Sequence, residues 1–366
     1  MNAQEGAPRS HRRAASLALL LGGCAGSAPT VAVPLPTSPA SAPVAPPPPV
    51  VETPVEETIT ESSAVAPAPP PATRDVAELL FPGEQLAPER CPGDEATRTR
   101  CLLDERFEGD VGARDMARRL FSDLGVVAGV ERDHVLDGGY RGLIHLVPAP
   151  PIGGLRVHLA WVSTALRDID AFVGELRGRA KEPLHYGARP LAIRFFLSKG
   201  HTTPAMYAEA ETVAYNVVGS LNTSGPAVRE TLFHELFHLA DQRERGWSDG
   251  ALAETHAAIL ARCGRKTACL APFAPHDTQV RGGTYYAFQP GNGPSEYAAE
   301  LAVRYFRETR AALAGKRFAT APFKCGPTEN ARAWSLLVAT FFGGLDLTPP
   351  CDGAKAAPAA AAAGAK

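Results

Sequence analysis

Nowhere in the 366 residues do two cysteines stand as Cys-x-x-Cys, which excludes a zinc ribbon. Positive charge is not in excess either: 37 Lys and Arg face 39 Asp and Glu, a net charge of −2. Residues 1–23 hold Arg9, Arg12 and Arg13 against Glu5, so the remainder carries a charge near −4. A nucleic-acid partner is therefore not expected. The apolar run at residues 14–21 falls far short of the roughly 20 residues that span a bilayer. No internal repeat is present, which removes solenoid architectures. With 45% hydrophobic residues, the chain has enough apolar material for a core.

What it has in quantity is proline and glycine, 34 of each. Many prolines crowd into residues 29–71, among Ala, Val, Ser and Thr. Such a stretch cannot bury enough surface to offset its ordering entropy, so residues 24–74 are expected to form an extended tether. Residues 352–366 are mostly Ala and are expected to form a disordered tail. Ahead of the tether, His11-Arg12-Arg13 and the apolar run read as a targeting segment over residues 1–23. It ends in Leu21-Gly22-Gly23-Cys24, which resembles the bacterial lipobox, where the Cys is acylated and becomes the mature N-terminus. The alternative is an ordinary secretory signal with an incidental Cys; the tether that follows favours the lipoprotein. A lipid anchor on Cys24, a place in the bacterial cell envelope and, from Ala25, the outer membrane are the expectations.

Apart from Cys24, six cysteines remain, an even number that in an exported chain argues for disulfides. Nearest-neighbour pairing gives 91–101, 263–269 and 325–351. One folded domain is expected over residues 75–351, with parts 75–225 and 226–351. Helical periodicity marks residues 111–124, 158–176, 227–245, 249–263, 295–313 and 328–342, and strand-like runs fill 191–197 and 212–218. Strands followed by helices indicate the α+β class.

The central motif is His234-Glu235-Leu236-Phe237-His238. It lies in a helix begun by Pro226, with Val228, Leu232, Leu236 and Leu239 as its apolar stripe. Histidines four apart share one helical face, so both imidazoles reach one tetrahedral Zn2+, and Glu235 is placed to take a proton from metal-bound water. The apolar neighbours would bury this helix, where two unpaired imidazoles would be costly and a metal relieves the cost.

A catalytic zinc needs a third protein ligand. Asp241 and Glu244 stand where a metzincin would have Gly and His or Asp, and Glu254 is out of register for a thermolysin-type ligand. His256 stays open as a candidate, against the plainer reading of an exposed helical His. The better candidate is Glu296 in Ser295-Glu296-Tyr297-Ala298-Ala299-Glu300. A first-turn position favours its ionised form, and Glu300, one turn on, could hydrogen-bond a ligand His. His134, His145, His158, His185, His201 and His276 have no motif partner and read as structural.

His-Glu-x-x-His, a helix, a Tyr and then Glu-x-x-x-Glu resembles the gluzincin metallopeptidases of the anthrax lethal factor type, over residues 226–306. The resemblance implies a zincin-like fold, Glu296 as third zinc ligand and Glu300 in support. It also implies a Tyr that steadies the oxyanion, Tyr286 in preference to Tyr285. An edge strand just before the active-site helix, here 212–218, would pair with an extended peptide. Two departures stand beside it: the gap from Tyr to Glu is longer, and 263–269 suggests an extra loop. The expected activity is hydrolysis of a peptide or protein substrate by a lipid-anchored zinc metallopeptidase. The alternative is a non-catalytic envelope lipoprotein, a binding or scaffold module on a degenerate zincin fold.

Overall fold

The computed structural model describes residues 76–351 apart from 139–141, 188, 200–203 and 281–282, all within the unit Pro69–Lys366. The expected signal segment, Cys24, the expected tether, His201 and the Ala-rich residues 352–366 lie outside the described residues.

In chain order the elements are α1 (Val76–Leu80), α2 (Glu95–Arg106), α3 (Val111–Leu124), β1 (Val127–Val130), β2 (His134–Asp137), β3 (Leu143–Pro148) and α4 (Arg156–Arg177). Then come β4 (Ala192–Leu197), β5 (Met206–Glu209), β6 (Thr212–Asn216) and six helices: α5 (Gly225–Arg243), α6 (Trp247–Ala251), α7 (Ala253–Cys263), α8 (Thr267–Leu270), α9 (Pro294–Leu313) and α10 (Thr328–Phe341). The fold is mixed α/β, consistent with the α+β class. No described helix is long and apolar enough to cross a membrane.

The apolar run Ala192-Ile193-Arg194-Phe195-Phe196 makes β4 the spine of the sheet, because a strand buried on both faces needs no polar alternation. Along one edge it pairs in parallel with β1 and then antiparallel with the end of β3; along the other it pairs in parallel with β6. Its one charge, Arg194, is neutralised by Glu131 at 2.8 Å and Glu209 at 3.0 Å, as a buried guanidinium must be.

The strand expected at 212–218 is β6, but it is not an edge. It lies between β4 and β5, and the free edge nearest α5 belongs to β5. All five of its residues are buried, which suits an interior strand. The helix expected over 249–263 is also corrected: it breaks at Leu252 (φ −109°) into α6 and α7. Tertiary bonds cause the break. Asp241 accepts from both the backbone N–H and the hydroxyl of Ser248, fixing where α6 starts, while Leu252 itself is fully buried.

Helix α5 is the centre of the molecule, packed between α4 and α9. Phe233 of α5 stacks on Phe306 of α9 at 4.3 Å and on Tyr186 at 4.4 Å, and Phe172 of α4 meets Phe306 edge-on at 4.9 Å. Aromatic pairs at these separations add to the area they bury. That stack fixes α5 against α9, two helices far apart in sequence, and so sets the distance between the residues they carry. The three expected disulfides are present: 91–101, 263–269 and 325–351.

Candidate metal centre and cleft

Ser224 caps α5, its hydroxyl accepting from the N–H of Ala227, and Pro226 occupies the first turn, where no N–H is needed. Capped there, α5 places His234 and His238 on one face. Helix α9 starts at Pro294 and carries Glu296 in its first turn.

These side chains converge. Nε2 of His234 lies 3.1 Å from Nε2 of His238 and 3.1 Å from Oε2 of Glu296, and the third side, His238 to Glu296, is 3.5 Å. Zinc with ligands at about 2.0–2.1 Å has tetrahedral edges of about 3.3 Å, so the triangle fits the ion. Two imidazole nitrogens and one carboxylate oxygen are also a donor set of the catalytic kind, leaving a fourth position open.

The electrostatics call for a cation at this point. Burial is the largest influence on His234 and opposes its protonation, yet Glu296 and Glu300 outweigh it and raise its pKa well above the ordinary value. Burial likewise opposes ionisation of Glu296, but His234 and His238 hold its carboxyl far below the usual range. With no metal, a proton must supply the positive charge that these groups surround.

Glu300 reaches the same centre from behind. Its Oε1 is 3.3 Å from Nδ1 of His234, a contact that orients the ring, and its Oε2 is 3.5 Å from Nδ1 of His276. His276 in turn stands 3.7 Å from Glu230, which Arg307 holds at 2.8 Å. His276 thus belongs to the surroundings of the centre, contrary to its reading as an unattached structural residue.

Glu235 is 8% exposed and faces a cleft of about 1090 Å³. Burial pushes its carboxyl above the ordinary range, with His234 and His238 pulling the other way. The backbone of Ala208, on β5, also favours its ionised form. Tyr286 also lines the cleft, its ring edge-on to His234 at 6.0 Å between centroids. Tyr285 instead packs against the core and bridges Gln279.

The other candidates point elsewhere. His256 is buried rather than exposed, set against the carbonyl of Ala287 at 3.2 Å and stacked on Phe288, outside the ligand group. Asp241 is spent on Ser248, Glu244 pairs with His185 at 2.6 Å, and Glu254 lies on the surface with Arg332. His158 bonds the Tyr215 hydroxyl and His145 pairs with Asp133, while His134 sits against the Arg132 carbonyl. Sequence reasoning missed Glu230, Arg265 and His276 as cleft residues; Arg265 and His276 have no short-range motif partner, but Glu230 stands one turn before His234 on α5, a spacing that could have marked it. No protein family, curated protein or solved structure matches this chain.

Proposed function

We propose that the chain is a zinc-dependent peptide hydrolase on a zincin-like fold of the gluzincin kind. The convergence of His234, His238 and Glu296 within 3.1–3.5 Å, beside a buried Glu235 that faces a cleft, carries this reading. His234, His238 and Glu296 would hold Zn2+. A zinc ion there supplies Lewis acidity toward the scissile carbonyl and lowers the pKa of water.

The protein's own groups divide the remaining work. An extended peptide pairs with the free edge of β5, which brings its carbonyl to the centre. Glu235 takes the proton of the attacking water and returns it to the leaving amine; its raised affinity for protons suits both transfers. The Tyr286 hydroxyl donates a hydrogen bond to the oxygen that gains negative charge. Glu300 orients His234 and is itself backed by His276. Export and a lipid anchor on Cys24 belong to the same proposal, and three disulfides fit an oxidising compartment.

The deciding experiment measures zinc stoichiometry and peptide cleavage together. One zinc per chain is expected in the wild type, strongly weakened retention in Glu296→Ala, and retained zinc without cleavage in Glu235→Gln. Absence of zinc from the wild type would sink the metallopeptidase. Zinc without any Glu235-dependent cleavage across a diverse peptide library would leave a binding or scaffold module.

A further inference from the structure

One wall of the cleft is built by two tied segments. Residues 263–269 form a short loop closed by the Cys263–Cys269 disulfide. Next to it, Gln279 pairs with Tyr285 in an antiparallel bridge and the N–H of Val280 bonds to the carbonyl of Thr284. The Thr267 hydroxyl donates to the Gly283 carbonyl and so joins the loop to the residue before Thr284. The loop carries Arg265, which lines the cleft and is exposed to it.

The charges around the cleft are not evenly matched. Glu230 is held by Arg307 and faces His276, and these two outweigh burial to keep its carboxyl below the ordinary range. Glu300 stands between His234 and His276. Glu235 faces the metal ligands and the backbone of Ala208. Every carboxylate that lines the cleft therefore already has a cation or an imidazole beside it. Arg265 has no carboxylate partner among the described residues. Among the described residues, a cationic side chain entering the cleft finds no carboxylate without a partner, whereas an anionic group finds the Arg265 guanidinium with no carboxylate beside it, on a loop closed by a disulfide. Arginine presents a rigid fork that suits a carboxylate, and the loop's closure limits the entropy lost when the pair forms.

We propose that Arg265 is a specificity-determining residue that anchors a carboxylate of the bound peptide, either an acidic side chain or a free C-terminus. This rests on the peptidase reading of the cleft but is testable by binding alone. Three kinds of labelled peptide serve as probes: a neutral, C-terminally amidated Gln-rich parent, a series with one Gln→Glu change at each Gln in turn, and the parent with a free C-terminal carboxylate. Their binding is measured by fluorescence anisotropy on the zinc-loaded full chain carrying Glu235→Gln. At least one acidic form is expected to bind roughly three- to tenfold more tightly than the neutral one, the range of a partly desolvated charge pair. The difference shrinks as salt is raised, vanishes in Arg265→Gln and reverses in Arg265→Glu. Which acidic form gains separates a side-chain carboxylate from a terminal one.

Arg265 is exposed, so both variants are expected to keep the wild-type fold, with unchanged circular dichroism and zinc content as the control. Equal binding of neutral and acidic peptides, no binding of any, or a preference that survives Arg265→Gln overturns the proposal. Cleavage of the same peptides by the wild type is read alongside. A preference for acid in binding, with no cleavage, would remove the hydrolase and leave the carboxylate anchor standing.

Discussion

Two adjacent tyrosines show how far roles diverge at the scale of single residues. Tyr286 faces His234 across the cleft, while Tyr285 packs on the core, so only the first can donate to an oxyanion. Tyr286→Phe is expected to lower kcat by on the order of 10²-fold with KM nearly unchanged, as for loss of one oxyanion donor. Tyr285→Phe should leave kcat within a small factor; steady-state kinetics on both variants checks this, and equal effects would mean the assignment is wrong. A second residue-scale test concerns Asp110. It accepts from the N–H of Ala113 and of Gly153 and from Arg156, and these bonds lower its pKa to about 2. An unfolded Asp titrates near 3.9, so the stabilisation is complete above about pH 4 and is lost as pH falls toward 2. The Tm difference between wild type and Asp110→Asn should therefore be constant near neutrality and shrink between pH 4 and 2. A difference that stays flat down to pH 2 would refute it. At this scale the sequence made the pairs His234/His238 and Glu296/Glu300 legible, because residues four apart share one helical face, and Glu235 through the motif it stands in. His276 and Arg265 were hidden, because loops bring them to the cleft and no periodicity records such a path, whereas Glu230 stands four residues before His234 on α5, a spacing that went unread.

Elements were legible where local chemistry governs them. Helices α3, α5, α9 and α10 follow their apolar periodicity and initiating residues, and their observed bounds lie within two residues of those expected. Strand β5 was missed, and the edge was assigned to β6, because a period of two cannot tell an interior strand from an edge strand. The turn between them also gave no signal: Ala210 and Glu211 both have positive φ, 44° and 66°, without the Gly or Asn that usually marks such a hairpin. The 263–269 disulfide offers a test at this scale. Closing so short a loop is worth about 2 kcal/mol by the chain-entropy model. Replacing both cysteines by Ala should lower Tm by about 4–8 °C, yet leave one zinc per chain, because none of the three ligands lies on that loop. Calorimetry and metal analysis read the two effects separately. Loss of zinc together with stability would show that this wall also helps hold the centre.

For the whole molecule, the question is whether metal or core holds the two ligand-bearing helices together. His234 and Glu296 are 62 residues apart in sequence, so an ion between them would cross-link α5 to α9. The same helices are already joined by Phe233 on Phe306, with Phe172 and Tyr186 against them, and the core continues through α10, where Phe341 meets Phe237 at 4.8 Å. A contact network of that extent does not need an ion to form, unlike the small zinc modules that lack a core. Zinc should then act as an ordinary ligand of the native state. At a free concentration one hundred times its Kd it stabilises by about 2.7 kcal/mol. In a unit of this size that corresponds to roughly 5–10 °C in Tm. Chelation is therefore expected to lower Tm by that amount, to abolish cleavage, and to leave the far-ultraviolet circular dichroism at room temperature unchanged, with zinc restoring both losses. Unfolding on chelation at room temperature would mean that the ion, and not the aromatic stack, sets the spacing of α5 and α9.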